Sequence, residues 1–248
     1  MRLKNKVAII SGGSRGMGAF EAALFVQEGA KVIIGDVRDE EGGDLAGQIG
    51  SDAVYLHLDV TSESDWAAVV KEATDRFGKL DILVNNAGGG IGESPGHLFQ
   101  RETQDIVDMI SLNLTGPLLC CKAFSPKMAE QGSGKIINIA SIAGKHAFPG
   151  MGIYCISKSA VMMLTKILGQ ELAKSNIQVN AIAPGFIKTK FSAALWMDEK
   201  ANASMIKRIP QKRMADPQEI AGIALYLASD ASSFATGETF TVDGGQTI

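Results

Sequence analysis

The chain has 248 residues, 46% hydrophobic and 21% charged, the balance of an ordinary globular protein with ample core. A formal charge of −3, with Lys and Arg scattered along the chain, gives no electrostatic footing for nucleic acid or an anionic membrane. Three cysteines (Cys120, Cys121, Cys155) without C-x-x-C spacing suit a reducing compartment, and three histidines with no two at ligand spacing argue against a metal centre.

Seven short apolar, β-branched runs mark the chain: 6–11, 31–36, 53–58, 80–85, 135–141, 177–183 and 239–242. Such runs are what strands buried on both faces look like, and helical patterns separate them. Strand–helix alternation with right-handed crossovers predicts one α/β domain over 1–248, a doubly wound parallel sheet of about seven strands. Ligands on such sheets bind at the carboxyl ends of the strands, so functional residues are expected just after each run.

The first run, KVAIIS, has a basic lead-in, but its VAII centre is too short for a signal h-region or a membrane span; cytoplasm is the expected location. After it, Gly12, Gly16 and Gly18 form a G-x-x-x-G-x-G turn that opens a helix. Glycines let the backbone approach a pyrophosphate, and the helix N-terminus aims amides at the same charge. The second run, KVIIGD, ends in Asp36, about 20 residues past the glycines, where a carboxylate accepts from ribose hydroxyls and repels a 2′-phosphate. NAD is therefore expected over NADP, although Arg15 and Arg38 are placed to steady a phosphate. After the third run, Asp59–Val60 either meets the adenine or caps the helix beginning near Ser62. The fourth run ends in NNAGGG, a sequence that also suits a plain turn.

Two later stretches carry the chemistry. The segment 150–160, GMGIYCISKSA, sets Tyr154 and Lys158 four apart at a helix start, so both leave one face. A free phenol is a poor base at neutral pH, and a neighbouring ammonium favours the phenolate, so Lys158 is expected to lower the Tyr154 pKa. The irregular insertion 186–215, with Trp196 and Met205, follows the sixth run and is expected to cover a pocket.

Taken together, the motifs SGGSRGMG (11–18), DV (59–60), NNAG (85–88), LNLTG (112–116), NIAS (138–141), YCISK (154–158) and PGFIKT (184–189) resemble those of the short-chain dehydrogenase/reductase family over nearly the whole chain. Ser11 stands where that family usually has threonine. The resemblance implies a catalytic tetrad of Asn113, Ser141, Tyr154 and Lys158. Asn113 would sit at a helical irregularity holding a water, Ser141 would hold the substrate oxygen, and Lys158 would also bond the nicotinamide ribose. It extends the cofactor contacts to Ser14, Met17, Val37, Val60, Asn86, Ala87, Gly88, Pro184, Gly185, Ile187 and Thr189. Substrate contacts are expected from Ser141, His146, Met151, Tyr154, Phe186 and Trp196. The expected activity is NAD(H)-dependent interconversion of a secondary alcohol and a ketone on a mainly apolar small molecule, cyclic or steroid-like, by a homotetramer. An NADPH-dependent 3-oxoacyl-(acyl-carrier-protein) reductase and a non-catalytic dinucleotide-binding regulator are the alternatives.

Overall fold

The computed structural model describes residues 1–90 and 97–248. All seven expected strands form, within two residues of the runs: β1 (Val7–Ser11), β2 (Lys31–Asp36), β3 (Ala53–His57), β4 (Ile82–Asn85), β5 (Gly134–Ile139), β6 (Ile177–Pro184) and β7 (Thr239–Val242). They make one sheet in the order β3-β2-β1-β4-β5-β6-β7, and every pairing is parallel. β1 and β5 are buried along their whole length, whereas the edge strands β3 and β7 are partly open. That difference is what continuous apolar runs covered on both faces require of inner strands.

Helices cover both faces. α1 (Gly16–Gln27), α2 (Asp39–Ile49) and α9 (Pro217–Ala228) lie on one side, where Phe25, Ile10, Ile34 and Leu225 share a core. α3 (Glu63–Phe77), α4 (Thr103–Ile110), α5 (Gly116–Gln131) and α6 (Gly152–Glu171) lie on the other. There Trp66 packs edge-on to Phe124, ring centroids 5.7 Å apart, above Ile9 and Leu83. α7 (Ala193–Trp196) and α8 (Glu199–Lys207) belong to the 186–215 insertion.

Local chemistry sets the helix ends. Ser62 caps α3 by accepting from the Asp65 amide at 3.2 Å, and Gly78 closes it at φ 74°. Pro217 opens α9, with the Glu219 carboxylate reaching back to the Asp216 amide at 2.9 Å. α4 and α5 are one helical run broken by a π turn at Ser111–Thr115. This run, Thr103–Gln131, is long and apolar enough to cross a membrane by length and composition. Part of its apolar surface is spent within the protein, where Cys120, Cys121, Phe124 and Met128 are buried in the sheet-facing core, while Val107 and Leu118 stay exposed.

Candidate active site

The order of β1 and β4 reverses the direction in which the sheet is wound, and clefts form at such a switch point on the carboxyl edge. One cavity of about 510 Å³ lies there. It runs from Asp36, Val37, Arg38, Asp59 and Val60, past the glycine turn, to Ser141, Met151, Tyr154, Lys158 and Phe186.

The glycine turn is held from the neighbouring strand. Asn86 Nδ2 donates to the carbonyls of Ser11 (3.1 Å) and Gly12 (2.8 Å), and the Ala87 amide donates to Ser11 Oγ at 3.2 Å. Serine in place of threonine therefore keeps the hydroxyl in use. Gly12 has φ 62°, and a Cβ there would stand 2.7 Å from Ala87 Cα. A Cβ on Gly18 would stand 2.6 Å from the Gly12 carbonyl oxygen, so Gly18 serves the packing of helix on turn rather than lining the cavity.

At one end, Asp36 is 3% exposed and both carboxylate oxygens are bonded. Oδ2 accepts from Ser14 Oγ at 2.5 Å and the Ser14 amide at 3.2 Å. Oδ1 accepts from the Arg38 amide (3.2 Å) and Arg38 Nη1 (3.0 Å). Ser14 thus positions Asp36 and is itself off the cavity wall, and Arg38 is committed to that carboxylate. Asp59 accepts from the Thr61 amide and hydroxyl through Oδ1 at 2.9 and 2.7 Å. The cap of α3 is Ser62, which leaves Asp59 a turn residue that faces the cavity.

At the other end, Tyr154 and Lys158 project from the first turns of α6, the Lys158 ammonium 5.7 Å from the Tyr154 ring centre. Lys158 Nζ donates to the Ile139 carbonyl at 2.9 Å and is 4% exposed. The expected tuning of the phenol is not what the chain's own groups produce. Burial pushes Tyr154 up to about 12, with a hydrogen bond to Ser141 pulling partly back. Burial also pushes Lys158 down to about 8. Both effects have one cause: desolvation penalises each charged form, and the ammonium's bond goes to a carbonyl rather than the phenol.

Asn113 sits at the centre of the π turn, fully buried. Its Nδ2 donates to the carbonyls of Gly89 (2.8 Å) and Met109 (3.1 Å), and its Oδ1 accepts from the Gly89 amide at 3.1 Å. The irregularity is where the family resemblance implied it, and the Asn113 side chain pins Gly89 in the wall. A Cβ on Gly88 would stand 2.9 Å from Asn113 Oδ1 and 3.1 Å from Lys158 Nζ, so only glycine fits between them.

Two expected substrate residues do not reach the cavity. His146 is exposed on the loop before α6 and is absent from the wall to which Phe148 and Met151 contribute. Trp196 donates through Nε1 to the Thr189 carbonyl at 2.9 Å, a brace of the insertion rather than a wall of the pocket. Of the insertion, Phe186, Ile187, Thr189, Lys190, Phe191, Ser192 and Leu195 line the cavity, and Met205 does not. Conversely, Phe191, Leu195, Leu112 and Lys190 line the cavity without having been singled out. Their signal was weak: Phe191, Leu195 and Lys190 lie outside every motif, and Leu112 only opens the LNLTG motif, whose pattern does not fix which way its side chain turns.

The residues fit a nicotinamide dinucleotide: glycine cradle, buried acid at the β2 end and acid/base pair share one cavity, with Gly12 and Gly88 where a Cβ would collide. Pro184, Gly185, Ile187 and Thr189 form the wall between them. The fold and this site define a Rossmann-type oxidoreductase. A family model described as Enoyl-(Acyl carrier protein) reductase matches residues 12–247. The 3-alpha-(or 20-beta)-hydroxysteroid dehydrogenase of Mycobacterium tuberculosis is 44% identical over 245 residues, 98% of this chain and 90% of that protein. The trans-4-hydroxycyclohexanecarboxylate dehydrogenase of Sinomonas cyclohexanicum is 40% identical, covering 99% and 94%. A solved structure of a short-chain type dehydrogenase/reductase from Mycobacterium ulcerans superposes with a TM-score of 0.95 at 30% identity, covering 99% and 91%. The chain belongs to the short-chain dehydrogenase/reductase family and is an NAD(P)-dependent oxidoreductase acting on CH–OH groups.

Proposed function

We propose that the protein interconverts NAD and NADH while oxidising or forming an apolar secondary alcohol, cyclic or steroid-like. The observation that carries this reading is the cavity itself. A buried carboxylate held by Ser14 and Arg38 stands at one end, and a phenol walled by Phe148, Met151, Phe186, Phe191 and Leu195 stands at the other. Asp36 would accept from the ribose hydroxyls, and its negative charge disfavours a 2′-phosphate. With Arg38 engaged by Asp36, Arg15 is the arginine on the cavity wall, among the described residues, left to offset that charge. Relatives named as hydroxysteroid and hydroxycyclohexanecarboxylate dehydrogenases agree with a ring-shaped substrate, and the steroid one with an apolar ring system.

When bound, the cofactor supplies a hydride-accepting carbon and, oxidised, a positive charge. In the oxidative direction the Tyr154 phenolate takes the alcohol proton while Ser141 Oγ holds the same oxygen; in reduction the Tyr154 hydroxyl returns it. Lys158 would bond the nicotinamide ribose, Thr189 and the glycine-turn amides would hold phosphate, and Asn113 keeps the Gly89 wall in place. Phe148 and Phe186, ring centroids 6.2 Å apart, help keep water from the reacting carbon.

The assay is absorbance of reduced nicotinamide with NAD or NADP against cyclic, steroid and aliphatic alcohols and a 3-oxoacyl thioester. Turnover with NAD on the cyclic or steroid alcohols is expected, and Asp36→Ala should narrow the preference over NADP. Turnover confined to NADPH and the thioester would establish the acyl-reductase alternative; cofactor binding without turnover would establish the regulator.

The same reading includes a cytoplasmic homotetramer. It is supported by three free cysteines and by Leu118, Ile156, Met163 and Ile167, which α5 and α6 leave 45–56% exposed.

A further inference from the structure

The segment that follows β6 reaches across the cavity as well as walling it. In the sheet β6 and β2 are separated by β5, β4 and β1, four strand spacings or roughly 19 Å. Yet Lys190, shortly after the end of β6, places Nζ 3.8 Å from Glu41 Oε2 on α2, the helix that leaves β2. Two contacts seat the same stretch between those ends. A Cβ on Gly16 of the glycine turn would stand 3.6 Å from Thr189 Cγ2, and one on Gly89 beyond β4 would stand 3.7 Å from the Phe191 ring. Thr189, Lys190 and Phe191 all face the cavity. The segment is therefore a bridge over the carboxyl ends of the central strands, and its far landing is one ion pair.

We infer that the Lys190–Glu41 pair is the clasp of this bridge and sets how fast the dinucleotide leaves. The inference rests on the proposed cofactor reading, which puts the diphosphate on the glycine turn beneath Thr189 and Lys190. Lys190 and Glu41 are positioning residues that act through the bridge. The other ion pair of the segment, Lys188–Asp216 at 3.8 Å, ties it only to the start of α9, on the β6 side. The Lys190 ammonium faces a carboxylate, whereas Arg15 in the glycine turn has none among the described residues and is the cation available to phosphate. With side chains 71% and 42% exposed, the clasp is weak and salt-sensitive, as a part that must open in every turnover should be.

The test is stopped-flow release of NADH, followed by its fluorescence after a chase with excess NAD. Glu41→Gln and Lys190→Gln should each speed release about two- to fivefold, the range open to an exposed pair. The exchanged double variant, Lys190→Glu with Glu41→Lys, should return the rate to that of the parent. At about 1 M salt, where charges are screened beyond roughly 3 Å, all four proteins should release alike. Steady-state turnover should rise in the single variants wherever release limits it, with kcat/KM for the alcohol unchanged and KM rising in step with kcat. Faster release in Lys190→Gln but not in Glu41→Gln would make Lys190 a direct phosphate contact and overturn the clasp. Equal rates in all variants at low salt would overturn it too, while failure of the parent to bind NADH would overturn the cofactor reading and the clasp with it.

Discussion

Tyr154 shows how far one residue's surroundings decide its chemistry. Left to the chain's own groups, its phenol sits near 12, because burial costs the phenolate more than Ser141 returns. Tyr154→Phe is expected to keep cofactor affinity and lose about 10²–10⁴ in turnover, the usual worth of a positioned acid/base; titration by fluorescence beside steady-state rates checks both halves. Glu21 is a second buried group, and no motif announced it. It is 0% exposed on α1, neither carboxylate oxygen has a partner, and burial raises its pKa from 4.5 to about 8. Between those values the native protein holds a proton that the unfolded chain has released. Stability therefore falls as pH rises from about 4.5 to about 8 and levels off above. Glu21→Gln removes the titration. Its gain in Tm over the parent should be small at pH 5 and grow to the equivalent of a few kcal/mol at pH 8, measured by thermal unfolding across that range.

Among elements, the π turn between α4 and α5 has the clearest functional consequence. Asn113 at its centre bonds both backbone groups of Gly89, so α4–α5 and the loop after β4 hold one another. Asn113→Ala leaves those groups unpaired, at a cost of about 1–3 kcal/mol. The wall between Gly88 and Lys158 should loosen, so turnover should fall more than cofactor affinity; paired measurements of kcat and NADH binding test this. The strands and the glycine turn were legible because β-branched apolar runs and glycines report backbone directly. Asn113 was legible as an irregularity, while its partners were not, since Gly89 lies 24 residues away and no pattern announces the contact. His146 and Trp196 failed for a related reason. Each lies near cavity-lining residues in sequence, but a position between motifs does not say which way a side chain turns. Arg38 likewise read as a free cation until Asp36 was seen to hold it.

At the scale of the molecule, exposed apolar residues on α5 and α6 bear on assembly. Sedimentation of the parent at micromolar concentration is expected to give a tetramer. Met163→Glu, at a residue 56% exposed on α6, should shift it toward smaller species with near-parent stability. A parent that sediments as a monomer would remove the assembly from the proposal. The sheet order has a further consequence during synthesis. β1 lies between β2 and β4, and β4 follows it by about 75 residues. At ~5–20 residues per second, a ribosome takes roughly 4–15 s to supply that neighbour. For that interval the VAIIS segment emerges with one open edge and nothing in the nascent chain able to close it. Among the strands of the sheet this is the longest wait for a partner, so a holdase acting over that interval would protect the edge that stays open longest.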